Sequence, residues 1–320
     1  MICSRPGIQR EVETMRYAPI VLAMLLASLF ACEADSTKEE APATTAAAPA
    51  KPPPAPEPEP APKPGPKTTF ETRGGDKREM TLIPAGPFLR GSPDGEGRDE
   101  EHPQKTITLD AFWIDRTEVT VADFAACVAK GACKAATFRK GTPDPKAKKP
   151  ESCNFGMPDR DKHPMNCVNW DGASAYCAWA GKRLPTEAEW EKAARGGDGR
   201  KYPWGEEAPS CERACMVKGM SYGCGARISC PVGTRTAGAS PYGALDMAGN
   251  VYEWVKDSYN RGYYAKAPDA NPINTERTPF RPVRGGAYSS DADGVRATQR
   301  SSFKKDERIS FVGFRCAMAP

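Results

Sequence analysis

The stretch Gly181-Lys-Arg-Leu-Pro-Thr-Glu-Ala-Glu-Trp190 constrains the fold of this chain more than any other. Within it, Thr186 and Glu189 have the spacing of a capping box, in which each side chain bonds a backbone amide at the start of a helix. The helix is predicted to run to about Arg195, where Gly196 ends it. We therefore expect a turn followed by a capped helix here, with a structural role.

A second helix is predicted immediately before this stretch. Apolar side chains recur at positions i, i+3, i+4 and i+7, which places them on one helix face: Ala173, Tyr176, Cys177 and Ala180. Gly181 then ends the helix. Because Cys177 lies on the apolar face, we expect it to point into the core, where it could form a buried disulfide.

The rest of the chain between residues 78 and 320 reads as short strands, turns and one further helix. The segment from Thr106 to Ile114 alternates polar and apolar residues, as a half-buried strand does. Other predicted elements are strands at 80–83, 88–92, 283–288, 295–300 and 311–317, and a helix at 120–130. With 29 glycines, 32 prolines and no periodic repeat, the chain is expected to form a single irregular, loop-rich α+β domain.

The first 32 residues have the character of an export signal. Residues 17–31 are apolar, but they are fewer than the roughly 20 that span a bilayer, and their number suits the core of a signal peptide. The sequence Leu29-Phe30-Ala31-Cys32 resembles a bacterial lipobox, which makes Cys32 the expected site of lipid attachment. Ordinary secretion with cleavage near the same point is the alternative.

Residues 33–77 are predicted to be a linker between this signal and a domain at 78–320. The segment is rich in proline, alanine and glutamate, a composition that favours polyproline II or disorder over a packed core. A lipid anchor, a stiff linker and a globular domain together predict an exported protein that is held at a membrane and faces the periplasm or the cell surface.

Charge and composition exclude one class of partner. The net charge is only +4, and no basic block interleaved with aromatic residues occurs, so we expect no nucleic acid as a partner.

The cysteines support export to an oxidising compartment. Of 12 cysteines, Cys3 precedes the mature chain and Cys32 carries lipid, which leaves an even number for disulfides. Bonds are predicted between Cys127 and Cys133 and between Cys153 and Cys167. The pairing of a further four is left open: Cys211, Cys215, Cys224 and Cys230. A zinc site in this group is disfavoured, because no Cys-x-x-Cys pair occurs and the chain has only two histidines.

Several motifs along residues 80–318 resemble those of the formylglycine-generating enzyme, or sulfatase-modifying factor, family. Besides the opening stretch, they are Ile83-Pro-Ala-Gly-Pro-Phe88, Glu118-Val-Thr120, His163-Pro-Met-Asn-Cys-Val-Asn-Trp170, Tyr202-Pro-Trp-Gly205, Gly243-Ala-Leu-Asp-Met-Ala-Gly-Asn-Val-Tyr-Glu-Trp254, Arg284-Gly-Gly286 and Gly313-Phe-Arg-Cys316. The resemblance implies a C-type-lectin-like fold. It also implies a structural disulfide between Cys177 and Cys316, which suits the inward position of Cys177.

The resemblance further implies a calcium site. The family supplies calcium ligands from a segment that here contains two carboxylates, Asp246 and Glu253, and two backbone carbonyls, those of Gly249 and Val251. Calcium takes six to eight oxygen ligands, so these four residues would form part of its coordination shell.

The catalytic residues of the family, by contrast, have no counterpart in this sequence. Active members carry two cysteines that bind copper and oxidise a substrate cysteine, and the corresponding positions here hold Ser290 and Val295. Copper(I) prefers soft thiolate ligands, which neither residue provides, so copper is not expected as a cofactor and no catalytic residue is assigned.

The sequence therefore predicts a non-catalytic, lipid-anchored binding or scaffold module of the cell envelope. Its partner would be a peptide or another envelope ligand, bound in a groove whose wall includes Arg296 and Arg300. The alternative is an enzyme of the same family, either an atypical formylglycine generator or an oxidase that uses another metal.

Overall fold

A computed structural model of the protein describes residues 67–71, 76–142 and 152–320. The predicted signal peptide, Cys32 and most of the predicted linker lie outside the described residues. Within the described part, no helix is both long and apolar enough to cross a bilayer.

Within the described residues, ten short strands form three sheets. The first sheet has the order β1-β2-β5-β10, the second pairs β3 with β4, and the third has the order β8-β7-β6-β9. The strand bounds are β1 Lys67–Glu71, β2 Lys77–Ile83, β3 Gly86–Arg90, β4 Lys105–Leu109, β5 Phe112–Asp115, β6 Tyr252–Trp254, β7 Phe280–Arg284, β8 Arg300–Lys304, β9 Val312–Gly313 and β10 Ala317–Met318. All pairs are antiparallel except β6 with β9.

In the same part of the chain, four α-helices accompany the sheets: α1 Val121–Ala129, α2 Trp170–Trp179, α3 Glu187–Arg195 and α4 Tyr263–Lys266. The predicted capping box starts α3, where the Thr186 hydroxyl accepts a hydrogen bond from the Glu189 amide and the Glu189 carboxylate accepts one from the Thr186 amide. Few regular elements and many loops make this the irregular α+β fold that the sequence predicts.

The strands differ from the prediction in where they begin and end. The predicted strand at 106–114 is two strands, β4 in the second sheet and β5 in the first. The chain passes from one sheet to the other at Asp110, whose amide donates to the side-chain oxygen of Asn271. Strand β1 lies inside the range 33–77 that was assigned to the linker, and it pairs along its length with β2.

The core contains aromatic residues at its centre and an unusual number of buried charges around them. Phe124, Tyr176 and Phe314 pack against one another with ring centroids 5.5–6.3 Å apart. Helix α3 is buried on nearly every side, including Glu191 and Arg195. Buried charges are costly unless they are paired, so the partners of these side chains fix how the loops pack on the helix.

Five disulfides join loops in the part of the chain that the structure describes. They include the three expected pairs, Cys127–Cys133, Cys153–Cys167 and Cys177–Cys316. The four cysteines left open pair as Cys211–Cys224 and Cys215–Cys230, two overlapping loops. So many disulfides indicate an oxidising, extracytoplasmic environment.

Candidate functional site

A turn built on two glycines leads into the segment that carries Ser290 and Val295. Gly285 and Gly286 both have positive φ angles, 94° and 75°. A Cβ atom on Gly286 would lie only 2.4 Å from the carbonyl oxygen of Gly294, so no larger residue fits at that point. The chain therefore folds back on itself, and residues 286–294 form a tight loop.

Ser290 is held inside this loop by hydrogen bonds. Its hydroxyl accepts from the Ala287 amide at 3.0 Å, and its own amide donates to the Ala287 carbonyl at 2.9 Å. Burial raises the pKa of the nearby Tyr252 phenol, and a hydrogen bond with Ser290 offsets part of that increase. Ser290 thus serves as a structural hydroxyl that fixes the loop.

Val295 is fully buried, in a small apolar cluster with Tyr202, Ala214, Met216 and Ala248. Its methyl groups offer no electron pair to a metal, and the surrounding side chains leave it no contact with solvent. At the two positions that the family resemblance assigns to copper ligands, this chain therefore has a bonded hydroxyl and a buried aliphatic group.

No thiol is free in the part of the chain that the structure describes. All ten cysteines there form the five disulfides given above. A disulfide sulfur is not a thiolate, so none of these residues could offer copper a thiolate ligand without first being reduced.

A cavity of about 600 Å³ opens directly beside this loop. We call it the tyrosine cavity. Its lining combines aromatic, apolar and hydroxyl side chains with one cation: Ser152, Met220, Ser221, Tyr222, Arg227, Tyr288, Ser289 and Phe311. Met220 is fully exposed and Tyr222 is 52% exposed, although most large apolar side chains of the domain are buried.

The wall that carries Met220 and Tyr222 is firmly held. Both residues lie in the segment 211–230, which the two overlapping disulfides close. A tight turn bonded between Lys218 and Ser221 presents Met220 at its tip. Backbone amides of Val217 and Gly223 then donate to the carbonyls of Ser290 and Tyr288, 3.0 and 2.8 Å away. The cavity is therefore preformed.

Arg296 and Arg300, predicted to line a ligand groove, are instead buried in ion pairs. Arg296 donates to both carboxylate oxygens of Glu101, at 2.7 and 3.0 Å, and is 3% exposed. Arg300 is fully buried, donates to both oxygens of Glu187, and lies 4.0 Å from the ring centroid of Tyr264. Their charges are neutralised inside the protein, and the ligand groove stays a prediction.

The residues predicted to bind calcium do not form a cage for the ion. Both carboxylate oxygens of Glu253 accept hydrogen bonds from Arg315 at 2.7 Å, and one also accepts from the Trp190 indole at 2.9 Å. Within the described ranges, no group of three acidic, histidine or cysteine side chains is placed to hold a metal. The set does not fit calcium, because one of its two carboxylates is already neutralised by an arginine.

A third carboxylate, Glu118, accompanies Asp246 in the same buried cluster. Burial and then the negative charge of Asp246 raise the pKa of Glu118 well above its usual value. Asp246 accepts a hydrogen bond from the Gly233 amide at 2.6 Å, and Glu118 accepts one from the Asn250 side chain at 3.0 Å. The raised pKa favours the protonated, neutral form of Glu118.

Little in the sequence indicates the tyrosine cavity. Met220, Tyr222 and Arg227 belong to no motif of the family resemblance, and only their position between four cysteines marks the segment as constrained. The structure shows which cysteines pair, and this determines which side chains reach the cavity.

Comparison with known proteins agrees with the fold and the motifs. The sequence profile of the sulfatase-modifying factor enzyme 1-like domain matches residues 66–320. The formylglycine-generating enzyme of Streptomyces coelicolor is 34% identical over 281 residues, covering 75% of this chain and 89% of that enzyme. The mouse protein named inactive C-alpha-formylglycine-generating enzyme 2 is 32% identical, and the match covers 74% of this chain and 85% of the mouse protein. The solved structure of PvdO from Pseudomonas aeruginosa superposes with a TM-score of 0.65 at 28% sequence identity. The superposition covers 81% of this chain and 99% of PvdO.

Proposed function

This chain belongs to the sulfatase-modifying factor enzyme 1-like family, and on that basis we propose that it is a binding or scaffold module that uses the family fold without oxidising cysteine. In this structure the tyrosine cavity opens beside the loop that follows Gly285 and Gly286. Under this proposal, the loop holds one wall of the tyrosine cavity in place and supplies no reactive group.

The observation that carries this proposal is the chemistry at residues 290 and 295. Copper-dependent oxidation of a thiol needs soft sulfur ligands on the protein. Ser290 offers a hydroxyl that already accepts a backbone hydrogen bond, and Val295 is buried among apolar side chains. The described cysteines are all oxidised to disulfides, so no other thiol takes their place. A mouse relative of comparable identity is likewise named as inactive.

The tyrosine cavity is the ligand site under this proposal. Exposed apolar and aromatic side chains on a rigid wall are typical of surfaces that bind another molecule, because rigid aromatic groups lose little conformational entropy on binding. Met220, Tyr222 and Phe311 would contact an apolar group of a peptide or other envelope ligand. Arg227 is exposed on the same rim and would attract a carboxylate.

We further propose that the protein is a membrane-anchored lipoprotein. The proposal rests on the apolar segment 17–31 followed by Cys32, and on the proline-rich stretch after it. The disulfides of the domain agree with an extracytoplasmic location.

Selection from a displayed random peptide library tests the binding role. We expect the unaltered protein to enrich peptides that combine apolar and acidic residues, and Tyr222→Ala and Met220→Ala to bind the enriched pool at least about tenfold more weakly, by analogy with aromatic hot spots. Phe280→Ala is the matched control, because Phe280 is an exposed aromatic residue outside the cavity. Equal binding by all variants would contradict the proposed site.

An enzymatic role for this chain is the second candidate. The similarity to the Streptomyces coelicolor enzyme favours an enzymatic role, because the two sequences are 34% identical and the match covers 89% of that enzyme. Conversion of a cysteine-containing peptide to formylglycine by the purified protein would decide in its favour.

A further inference from the structure

A second cavity, of about 530 Å³, lies elsewhere on the domain and shares no lining residue with the tyrosine cavity. We call it the basic cavity. Residues of the segments 256–258 and 273–281, together with Trp170 and Lys305, form its lining. Four of these side chains are cationic: Lys256, Arg277, Arg281 and Lys305.

The cations of the basic cavity are not fully balanced by acids. Its one lining carboxylate, Glu276, is already bound by Lys266 at 2.6 Å and by Asn260 at 2.7 Å. Lys305 lies 3.6 Å from Asp171, and both of those side chains are about half exposed. Among the described residues, neither Lys256 nor Arg277 forms an ion pair.

Asn274 is one of the lining residues, and its side-chain amide nitrogen has no partner within the described residues although the residue is only 3% exposed. Its side-chain oxygen accepts from the Glu276 amide at 3.0 Å, which fixes the direction of its side-chain NH2 group. Its backbone amide donates to Asp257 at 2.9 Å, and its carbonyl accepts from the Ser258 amide at 2.8 Å. The Nδ2 atom has no hydrogen-bond acceptor in the described part of the protein.

Arg281 presents a second unpartnered donor. Its guanidinium lies 4.4 Å from the ring centroid of Trp170, whose own indole is fixed by a bond to the Val255 carbonyl. One terminal nitrogen donates to the Ser258 hydroxyl at 2.6 Å, but the buried Nε atom has no partner within the described residues. Burial lowers the pKa of Arg281, and the charges of Asp171 and Asp257 offset this only in part.

We propose that the basic cavity binds a tetrahedral oxyanion, the phosphate or sulfate group of a small ligand. Buried donors without acceptors cost free energy, and an anion here would satisfy the Asn274 and Arg281 donors together. A lining with four cations and one already paired carboxylate favours a dianion over a single carboxylate. The volume exceeds that of the ion alone, so the group would belong to a larger molecule.

Titration calorimetry of the full protein with inorganic phosphate and inorganic sulfate, at low ionic strength, tests the proposal. Low salt is needed because exposed cations are screened over about 10 Å at 0.1 M salt. We expect saturable binding of at least one of the two ions at one site. Stronger phosphate binding would assign a phosphate ligand, and stronger sulfate binding a sulfate ligand.

Asn274→Asp is the decisive variant. It keeps the oxygen that accepts from the Glu276 amide, but it places a carboxylate oxygen where the NH2 donor was. A hydrogen bond to a charged group contributes enough free energy that the affinity should fall by about tenfold or more. Lys256→Gln and Arg277→Gln change only exposed residues, should leave the fold intact, and should each weaken binding severalfold.

Lys130→Gln is the matched control, because Lys130 is an exposed cation at the end of α1, away from the cavity lining. Its affinity for the ion should equal that of the unaltered protein. The proposal is overturned if neither ion binds at millimolar concentration. It is also overturned if the Lys256 and Arg277 variants bind as tightly as the Lys130 variant, since the binding would then be non-specific.

Discussion

Removal of the disulfide between Cys177 and Cys316 should destabilise the domain more than removal of any other. Both sulfur atoms are fully buried, and the bond closes a loop of 139 residues between helix α2 and the C-terminal strands. The perturbation is the double substitution of Cys177 and Cys316 by alanine. The matched control is the double substitution of Cys127 and Cys133, whose bond closes a loop of 6 residues.

The expected magnitudes follow from the length of each loop. In the chain-entropy relation, closing the long loop contributes about 5 kcal/mol and closing the short one about 2 kcal/mol. The two disulfides of the segment 211–230 lie inside the long loop and shorten it, but the dependence is logarithmic, so the effect is only about 0.1 kcal/mol. The lost sulfur atoms also leave small cavities in both variants. We expect a difference of about 3 kcal/mol between the two variants.

Urea denaturation followed by tryptophan fluorescence under non-reducing conditions measures this difference. A loss of about 5 kcal/mol approaches the whole stability of many domains, so the Cys177/Cys316 variant should unfold at very low urea or be unfolded at 37 °C. Equal losses for the two variants would refute the reasoning, because they would show that loop length does not govern the contribution of these bonds.

Three further predictions concern the buried charges. Glu253→Gln leaves the buried Arg315 without its carboxylate, so the free energy of unfolding should fall by about 3–5 kcal/mol in urea denaturation, and a loss below about 1 kcal/mol would contradict a buried pair. Incubation with EDTA should leave the melting temperature unchanged, because Glu253 is engaged by Arg315, and a clear decrease would restore a metal to this cluster. Burial, followed by the charge of Glu187, raises the pKa of Asp257 to about 7 in the folded protein. The folded state therefore binds this proton more tightly than the unfolded chain does. The stability that the proton contributes is fully present at low pH and is lost as the pH rises towards 7. Between pH 5 and 7.5 the unfolding free energy should therefore decline more steeply with pH in the unaltered protein than in Asp257→Asn, and parallel pH profiles would contradict this.

Local features of the fold could be predicted from the sequence because their causes are local. The capping box at Thr186 and Glu189 needs only residues three apart, and the inward face of α2 follows from helical periodicity. Strand bounds were less accurate, since they depend on partners distant in sequence. Strand β8, for example, begins at Arg300 because it pairs with β7, whereas the predicted strand runs from 295 to 300.

The candidate sites were harder to predict, because a charge in sequence does not show its partner. Arg296 and Arg300 look like surface cations in a polar segment. Their partners, Glu101 and Glu187, lie 195 and 113 residues away, and these contacts turn both arginines into buried structural groups. The basic cavity was equally hard to predict, because it is the fold that places Asn274 and Arg281 in one lining with Trp170, which is distant in sequence.

The absence of cysteine oxidation is tested most directly by aerobic incubation of the purified protein, its disulfides intact, with copper(I) and a Cys-x-Pro-x-Arg peptide. Mass spectrometry then measures conversion of the cysteine to formylglycine, with the Streptomyces coelicolor enzyme as the positive control. We predict no conversion above the sample without protein, because Ser290 and Val295 provide no thiolate for copper. Conversion by the unaltered protein above that background would contradict the account and require a copper site built from other residues.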